Sequence, residues 1–443
     1  MFFEAITTLL MGSLALQAHF SKSGVGNDSK KLNKIFALSG LNVKDGTQTL
    51  TAQQMKKRNY SWGTEYKYRI PLGRSFEDYL NKQQVIETGL NTRKVKIQLG
   101  DLKQLKLDKQ IIFNIRSLYQ KKLTEKKEIE LSYDGMLVVR VYEEPMPTVV
   151  RMYEGNKWAV PIGVTREKNE RVLHDFEKIP HFILGGATRY GKSNLINGII
   201  VSLLKQRPKQ VKLHLVDLKG GVELCDYENI KQTVNIAYEP EQALKVLSNA
   251  YKEMRRMQER VRAVGKKNVQ EAGIIERHFI IIDEVGELNP AEAVDKKDVK
   301  KDGVVILKSE KTIKEECQKY MSQISRLGAG LGFRLILATQ YPTGDVIPRQ
   351  CKQNSDAKLC FRVQSSTASN VVLDGPGAEQ LPQIKGRAIY QTADNKIIVQ
   401  TPLTESDIIE STIEPHIREV KPVEAIEQET RANPIIIEKT GLS

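Results

Sequence analysis

The sequence predicts an α/β chain: a unit built on a mostly parallel sheet, preceded by a small α+β domain. Three observations carry this. Four short runs, HFILGG (181–186), KLHLVDLK (212–219), HFIIIDE (278–284) and RLILATQ (334–340), are almost continuously apolar and separated by loops or helical segments. That pattern marks strands buried on both faces of a parallel sheet. Ahead of them, YKYRIPL (66–72) alternates as a half-buried strand does, FEDYLNKQQVIETGL (76–90) has helical periodicity, and VKIQL (95–99) and MLVVRVYEE (136–144) read as strands. Finally, 443 residues are enough for two or three domains, one of them large enough for a full α/β core.

Taken in order, the elements divide the chain into a short apolar segment (1–20), a basic linker (21–60), the small α+β domain (61–150), the α/β unit (151–402) and an acidic tail (403–443). The first stretch, MFFEAITTLLMGSLALQA (1–18), contains Glu4 and is too short for a membrane span of about 20 apolar residues. It also lacks the basic leader of a secretory signal. Residues 288–311 read as a charged insertion, followed by the helix TIKEECQKYMSQISRLG (312–328). The tail holds one short helix, ESDIIESTI (405–413), before Pro- and Glu-rich sequence.

Charge is the unusual part of the composition. The formal net charge is +14, and residues 21–130 alone carry 23 Lys and Arg against 11 Asp and Glu. Residues 403–443 carry 4 against 9. Such a basic excess favours a polyanionic partner, because neutralising phosphates releases counterions. Charge alone fits nucleic acid or an anionic membrane surface. The four cysteines, Cys225, Cys317, Cys351 and Cys360, form no C-x-x-C pair, which reads as a reduced, intracellular protein.

The chemistry is concentrated in three strand ends. Gly186-Ala187-Thr188-Arg189-Tyr190-Gly191-Lys192-Ser193 fits G-x-x-x-x-G-K-[ST], between the strand HFILG and the helix NLINGIIVSLL that opens with Asn194. Glycines let the backbone wrap phosphates so that N–H groups converge at the positive end of a helix. Residues 186–194 are thus expected to bind ATP, with Lys192 on the β- and γ-phosphates and Ser193 on Mg²⁺. The strand ending in Asp283-Glu284 follows the Walker B pattern. Asp283 is expected on Mg²⁺, and Glu284 as the group that polarises the attacking water. The third strand ends in Thr339-Gln340, placed to sense the γ-phosphate. A subunit ring also needs a cation supplied in trans, for which Arg326, Arg334, Arg349, Arg362 and Arg387 are candidates.

These residues resemble the FtsK/SpoIIIE family of DNA translocases. The resemblance runs from Pro180–Leu184 into the phosphate loop, through Val216-Asp217-Leu218-Lys219, Walker B and Ala338–Pro342. It ends in Phe361-Arg362-Val363, Ser365, Ser369, Leu373-Asp374, Gly377-Ala378-Glu379 and Leu381, a run similar to the family's F-x-V-x-S-x-x-x-S-x-x-x-L-D-x-x-G-A-E-x-L. Residues 66–91 further resemble coupling-protein-type members from conjugative elements of Gram-positive bacteria. The resemblance implies a RecA-like P-loop motor in a hexameric ring, ATP between subunits, DNA through the centre, and a membrane channel or relaxase-type protein as partner. It implies a cytoplasmic location, with peripheral contact at the inner face of the membrane left open. Of the membrane spans usual in the family only the short 1–18 run remains, and the acidic stretch 403–443 is not expected to supply the family's winged-helix domain. Where many members have an arginine, the chain has Ala329, which makes Arg326, one turn earlier, the first choice for the finger.

The expected function is an ATP-hydrolysing DNA translocase, of the conjugative coupling kind. Two alternatives stay open: an ATP-driven protein-export motor, and a DNA-binding adaptor that uses ATP as an assembly switch. Glu284 speaks against the second, and the basic N-terminal half against the first.

Overall fold

A computed structural model describes residues 28–91, 127–167, 170–301, 304–340, 344 and 346–418. The small domain comprises α1 (Asp28–Leu38), the hairpin β1 (Val43–Asp45) and β2 (Gln48–Leu50), then β3 (Gln53–Tyr60) and β4 (Gly63–Arg69). Two helices follow, α2 (Phe76–Leu80) and α3 (Gln83–Leu90), and then the strands β5 (Glu128–Tyr133) and β6 (Leu137–Tyr142). The four longer strands form an antiparallel sheet in the order β3-β4-β6-β5. Its inner face is closed by Leu32 and Phe36 of α1, Tyr79 of α2 and Ile86 of α3, packed on Tyr66, Tyr68, Ile129 and Val139.

Residues 28–60 are therefore not a linker, as the sequence reading had it. Leu32, Phe36, Leu41 and Ala52 are buried in the domain core. The polar composition that suggested a linker comes from the outward side of α1 and from β3, a solvent-facing edge strand. The single helix expected over 76–90 is two, interrupted at Asn81–Lys82, and Ser75 caps the first by accepting the Asp78 N–H at 3.4 Å. The VKIQL strand and residues 1–18 lie outside the described residues, as does the chain after 418.

The α/β unit begins with β7 (Val150–Arg151), β8 (Ala159–Val164) and β9 (Arg171–Asp175). It continues through β10 (Phe182–Gly185), α4 (Lys192–Gln206), β11 (Val211–Val216), β12 (Thr233–Ala237), α5 (Pro240–Ala263) and β13 (Arg277–Ile282). Next come the hairpin β14 (Val299–Lys301) and β15 (Val304–Leu307), α6 (Glu310–Leu327), β16 (Phe333–Thr339), α7 (Arg349–Gln353) and β17 (Ala357–Phe361). The last elements are α8 (Ser366–Leu373), β18 (Arg387–Gln391), β19 (Lys396–Gln400), β20 (Pro402–Leu403) and α9 (Ser406–Ile413).

Ten strands make one sheet in the order β12-β11-β13-β16-β10-β17-β18-β19-β8-β9. From β12 to β17 every pairing is parallel, and from β17 to β9 every pairing is antiparallel. The apolar runs are explained by this burial. Along β13 and β16, Ile280, Ile282, Leu335 and Leu337 face α5 and α6, while Phe279, Ile281, Ile336 and Ala338 face α4. Successive strand residues point to opposite faces, so a strand covered on both sides must be apolar throughout.

Two boundaries differ from expectation. Residues 403–418 are part of this unit rather than a tail: Ile409 of α9 is buried against the α4 face, and Lys231 N–H donates to the His416 carbonyl at 2.9 Å. The charged insertion contains the β14–β15 hairpin, held where Asp298 accepts the Ser309 N–H at 2.8 Å at the start of α6. Among the described residues no helix is long and apolar enough to cross a membrane.

Candidate active site

The loop between β10 and α4 lies at the carboxyl ends of the parallel strands, where the sheet's neighbours on the two sides are β16 and β17. Ligands of open α/β sheets bind at such an edge. Gly186 and Gly191 have φ of 153° and 120°, conformations that strain any residue with a Cβ. Space is short as well: a Cβ on Gly186 would lie 2.6 Å from Phe361 Cβ, and one on Gly191 would lie 3.2 Å from the Phe361 ring. Phe361, the first residue of the 361–381 run, is thus the floor on which the loop is laid. The Ala187 N–H donates to the Arg362 carbonyl at 3.0 Å, and the Gly386 N–H to the Tyr190 carbonyl at 2.9 Å.

The rest of that run is a brace. Ser365 caps α8, and Ser369 Oγ donates to the Gly375 carbonyl at 2.8 Å and accepts the Ala378 N–H at 3.1 Å. Asp374, at φ 54°, is paired with Lys352 at 2.7 Å and also with Lys358. These contacts fix the return of the chain from β17 to β18 behind the phosphate loop. None of them places a side chain of the run in the cavity.

Beside the loop is a cavity of about 490 Å³. Ala187, Thr188, Arg189, Gly191, Lys192, Ser193 and Asn194 line one side of it. The other side is Thr148–Val150, Lys385, Gly386 and Gln400–Leu403, none of which the sequence reading singled out. Gly186 and Tyr190 of the expected ATP set do not line it. Gly186 makes the turn, and Tyr190 packs on the α4-side core. The Asn194 amide is committed to the protein: it donates to the Pro402 carbonyl at 2.7 Å and accepts the Thr404 N–H at 2.9 Å. It shapes the cavity by holding β20 against α4.

The charged groups converge behind the loop. Lys192 Nζ, buried, donates to Asp283 Oδ1 at 2.6 Å and to the Asp283 carbonyl at 2.7 Å. Asp283 is fully buried and its Oδ2 has no hydrogen-bond partner. A buried carboxylate oxygen without a donor is costly unless a cation takes it. With the Ser193 hydroxyl lining the cavity, the pair suits a hard, oxygen-preferring ion such as Mg²⁺. Glu284 is also buried and accepts the Gln340 N–H at 2.9 Å. Burial pushes its carboxyl above the ordinary glutamate range, against the opposing pull of the Gln340 N–H, the Thr339 hydroxyl and Lys192. The Gln340 side chain accepts from Thr188 Oγ1 at 3.0 Å and from Lys219 Nζ. Asp217 accepts the N–H groups of Glu223 and Leu224 at 2.8 and 3.1 Å and so fixes the loop that carries Lys219.

All three strand-end motifs therefore meet, but the arginine candidates separate. Arg334 is buried and donates to Glu177 at 2.8 Å, beside Arg277. Burial would raise the Glu177 carboxyl, yet the two guanidinium groups hold it down to about 2. Arg387 is fully buried and donates to Gln400 Oε1 at 2.9 Å and the Pro147 carbonyl at 3.1 Å. Arg362 is turned back onto the Leu381 carbonyl. These three are fold-holding arginines. Arg326 is exposed in the last turn of α6, ahead of β16 and so at the opposite end of that strand from the phosphate loop. Arg349 is exposed at the start of α7. Neither of them lines the cavity.

The model of the FtsK/SpoIIIE family matches residues 149–340. The DNA translocase FtsK of Bacillus cereus is 31% identical over 238 residues, which cover 50% of this chain and 27% of that protein. The FtsK of Caldanaerobacter subterraneus is 34% identical over 221 residues, covering 47% and 28%. For SpoIIIE of Bacillus subtilis the figures are 30% over 238 residues, 50% and 27%. The chain thus spans little more than a quarter of the length of these relatives. Among solved structures, the monomeric form of the pCW3 conjugation coupling protein TcpA, determined with ATPγS, superposes with a TM-score of 0.57 at 20% identity. That superposition covers 88% of this chain and 99% of TcpA, so the likeness in fold extends through both domains. The match to the FtsK/SpoIIIE family thus covers residues 149–340 of the α/β unit, from Val149 in the cavity wall through the phosphate loop to Gln340.

Proposed function

We propose that the chain is an ATP-hydrolysing DNA translocase that works as a ring, of the kind that couples DNA to a conjugative transfer channel. The observation that carries the reading is the joint at Glu284, a buried carboxylate tied to the Gln340 backbone beside the Lys192–Asp283 pair. A protein that uses ATP only to assemble has no need of such a carboxylate. The family domain and the net charge of +14 support DNA as the load.

In this reading the phosphate-loop N–H groups and Lys192 bind the β- and γ-phosphates, and Lys192 exchanges its bond to Asp283 for the phosphates. Asp283 Oδ2 and the Ser193 hydroxyl would hold Mg²⁺, which when bound neutralises charge that develops on the transferred phosphoryl group. Glu284 orients the attacking water and takes its proton. The Gln340 side chain, shared between Thr188 and Lys219, registers the γ-phosphate. Its loss is passed to Glu284 through the backbone bond and to the 217–224 loop through Lys219. Arg326 or Arg349 of an adjacent copy completes the site.

The test is movement. With ATP, the chain should displace a third strand or a bound protein from linear DNA, and Lys192→Ala should abolish this. Nucleotide turnover without any displacement from DNA would contradict the translocase reading.

A further inference from the structure

The outer face of the small domain's sheet carries a row of three aromatic rings, none of which lines the cavity. Strand register puts Tyr60 opposite Gly63, and Gly63 opposite Tyr142. Trp62, from the turn between β3 and β4, lies between the two tyrosines. The Tyr60 and Trp62 rings are parallel within 6° with centroids 5.0 Å apart, and Trp62 rests on Tyr142 at 4.7 Å with the planes tilted by 34°. Arg166 covers Tyr142 at 5.7 Å and closes that end of the row. Tyr60 forms the other end and is 42% exposed. In the domain's interior, Phe36 meets Tyr68 and Tyr79 edge to face and Tyr66 lies tilted by 32° to Tyr68, so none of these pairs is parallel as Tyr60 and Trp62 are.

The charges around the row are sorted. Four acids near the row are paired, Glu65 and Glu130 with Arg140, Glu128 with Arg166 and Asp134 with Lys67, while Glu143, whose N–H donates to the Trp62 carbonyl, is exposed. Lys56 and Arg58, on β3 beside Tyr60, and Arg69 at the end of β4 are exposed. The face thus presents aromatic surface flanked by cations. A strand edge bearing Lys56, Lys57 and Arg58 resists pairing with another strand, so β-addition of a protein partner is disfavoured.

We infer that the Tyr60–Trp62 stack, backed by the buried Tyr142 and flanked by Lys56 and Arg58, is a stacking platform for single-stranded DNA. Unpaired bases expose their faces and continue such a row, while the adjacent cations follow the phosphates. In a duplex the base faces are hidden, so the platform selects the single strand. The identity of the polyanion rests on the DNA-motor reading; the stacking chemistry rests on the rings.

The chain has two tryptophans, and Trp158 is 7% exposed in the α/β core. The full chain bearing Trp158→Phe therefore leaves Trp62 as the sole tryptophan reporter. Titration with oligo-dT of about 20 nucleotides should quench Trp62 fluorescence, and an equal-length blunt duplex should not. Tyr60→Ala should weaken oligo-dT binding about tenfold or more, and Tyr60→Phe should bind within about twofold of the parent. Lys56→Glu combined with Arg58→Glu should weaken binding and flatten its salt dependence. DNA-free ATP turnover should be the same in all variants.

Equal quenching by duplex overturns the inference, as does oligo-dT binding that leaves Trp62 fluorescence and the Tyr60→Ala affinity unchanged. In either case DNA-stimulated ATP turnover would leave the motor reading standing. If neither DNA form binds, the motor reading itself falls, and the face belongs to a protein contact.

Discussion

Glu284 and Gln340 are joined by one hydrogen bond: the carboxylate Oε2 accepts the Gln340 backbone N–H at 2.9 Å. The bond ties the end of β13 to the end of β16 in the sheet's centre. In the proposed reading it makes the hydrolytic group and the phosphate sensor parts of a single joint. Glu284→Gln keeps size and burial but removes the base, so nucleotide binding should persist while kcat falls about 10²-fold or more. Fluorescent-nucleotide binding beside steady-state turnover checks the split.

Gln340→Ala tests the sensor separately. The backbone bond to Glu284 survives, but the side-chain links to Thr188 and Lys219 are lost. The expected outcome is a fall in kcat with KM within about twofold of the parent, because the lost contacts report on phosphate loss rather than hold the nucleotide. A rise in KM with unchanged kcat would mean that Gln340 only binds.

Lys192→Ala should act twice. It removes the phosphate contact, and it strands the fully buried Asp283 carboxylate without its cation. Breaking one partner of a buried pair costs about 3–5 kcal/mol, so the denaturant midpoint should drop along with turnover. Adding Asp283→Asn to Lys192→Ala should restore part of the stability and none of the activity, as urea melts and ATPase assays would measure.

Turnover should be lost on acidification earlier than for an ordinary glutamate base. Glu284 must be ionised to accept a proton, and its pKa is raised by burial. The acid limb of kcat/KM should therefore lie above about 4.3, the usual glutamate value. A pH profile locates it, and the limb should vanish from the residual activity of Glu284→Gln.

Stability should also decline in acid. Burial lowers the pKa of His174, His181 and His214 to about 3 each, whereas an unfolded histidine titrates near about 6.5. Between those values the unfolded chain binds more protons than the folded one, so stability rises with pH and is lost as pH falls below about 6.5. Urea midpoints measured from pH 7 to pH 5 should fall. His174→Phe, in a pocket already lined by Phe176 and Phe182, should reduce that slope.

What the sequence made legible follows from how local the determinants are. The phosphate loop, Asp283-Glu284 and Thr339-Gln340 sit at the ends of strands whose unbroken apolar runs come from burial on both faces. One stretch of sequence contains the whole signal. The far wall of the cavity, from Thr148 to Val150 and Lys385 to Leu403, has no such signature, because it is brought to the loop by pairings between segments distant in sequence: β17–β18 and β18–β19 antiparallel, and β7–β20 parallel. The role of Phe361 was invisible for the same reason: its contacts are with Gly186 and Gly191 in space, and the 361–381 run identified a family without revealing that it braces the loop. Residues 28–60 were misread because their burial rests on four side chains set among polar neighbours on an exposed face.

The most direct test of the account is the rate of ATP hydrolysis by the purified chain with no DNA, with single-stranded DNA and with duplex. The account predicts Mg²⁺-dependent turnover that rises when DNA is added and disappears in Glu284→Gln. A rate unchanged by either form of DNA, or undiminished in Glu284→Gln, would contradict it.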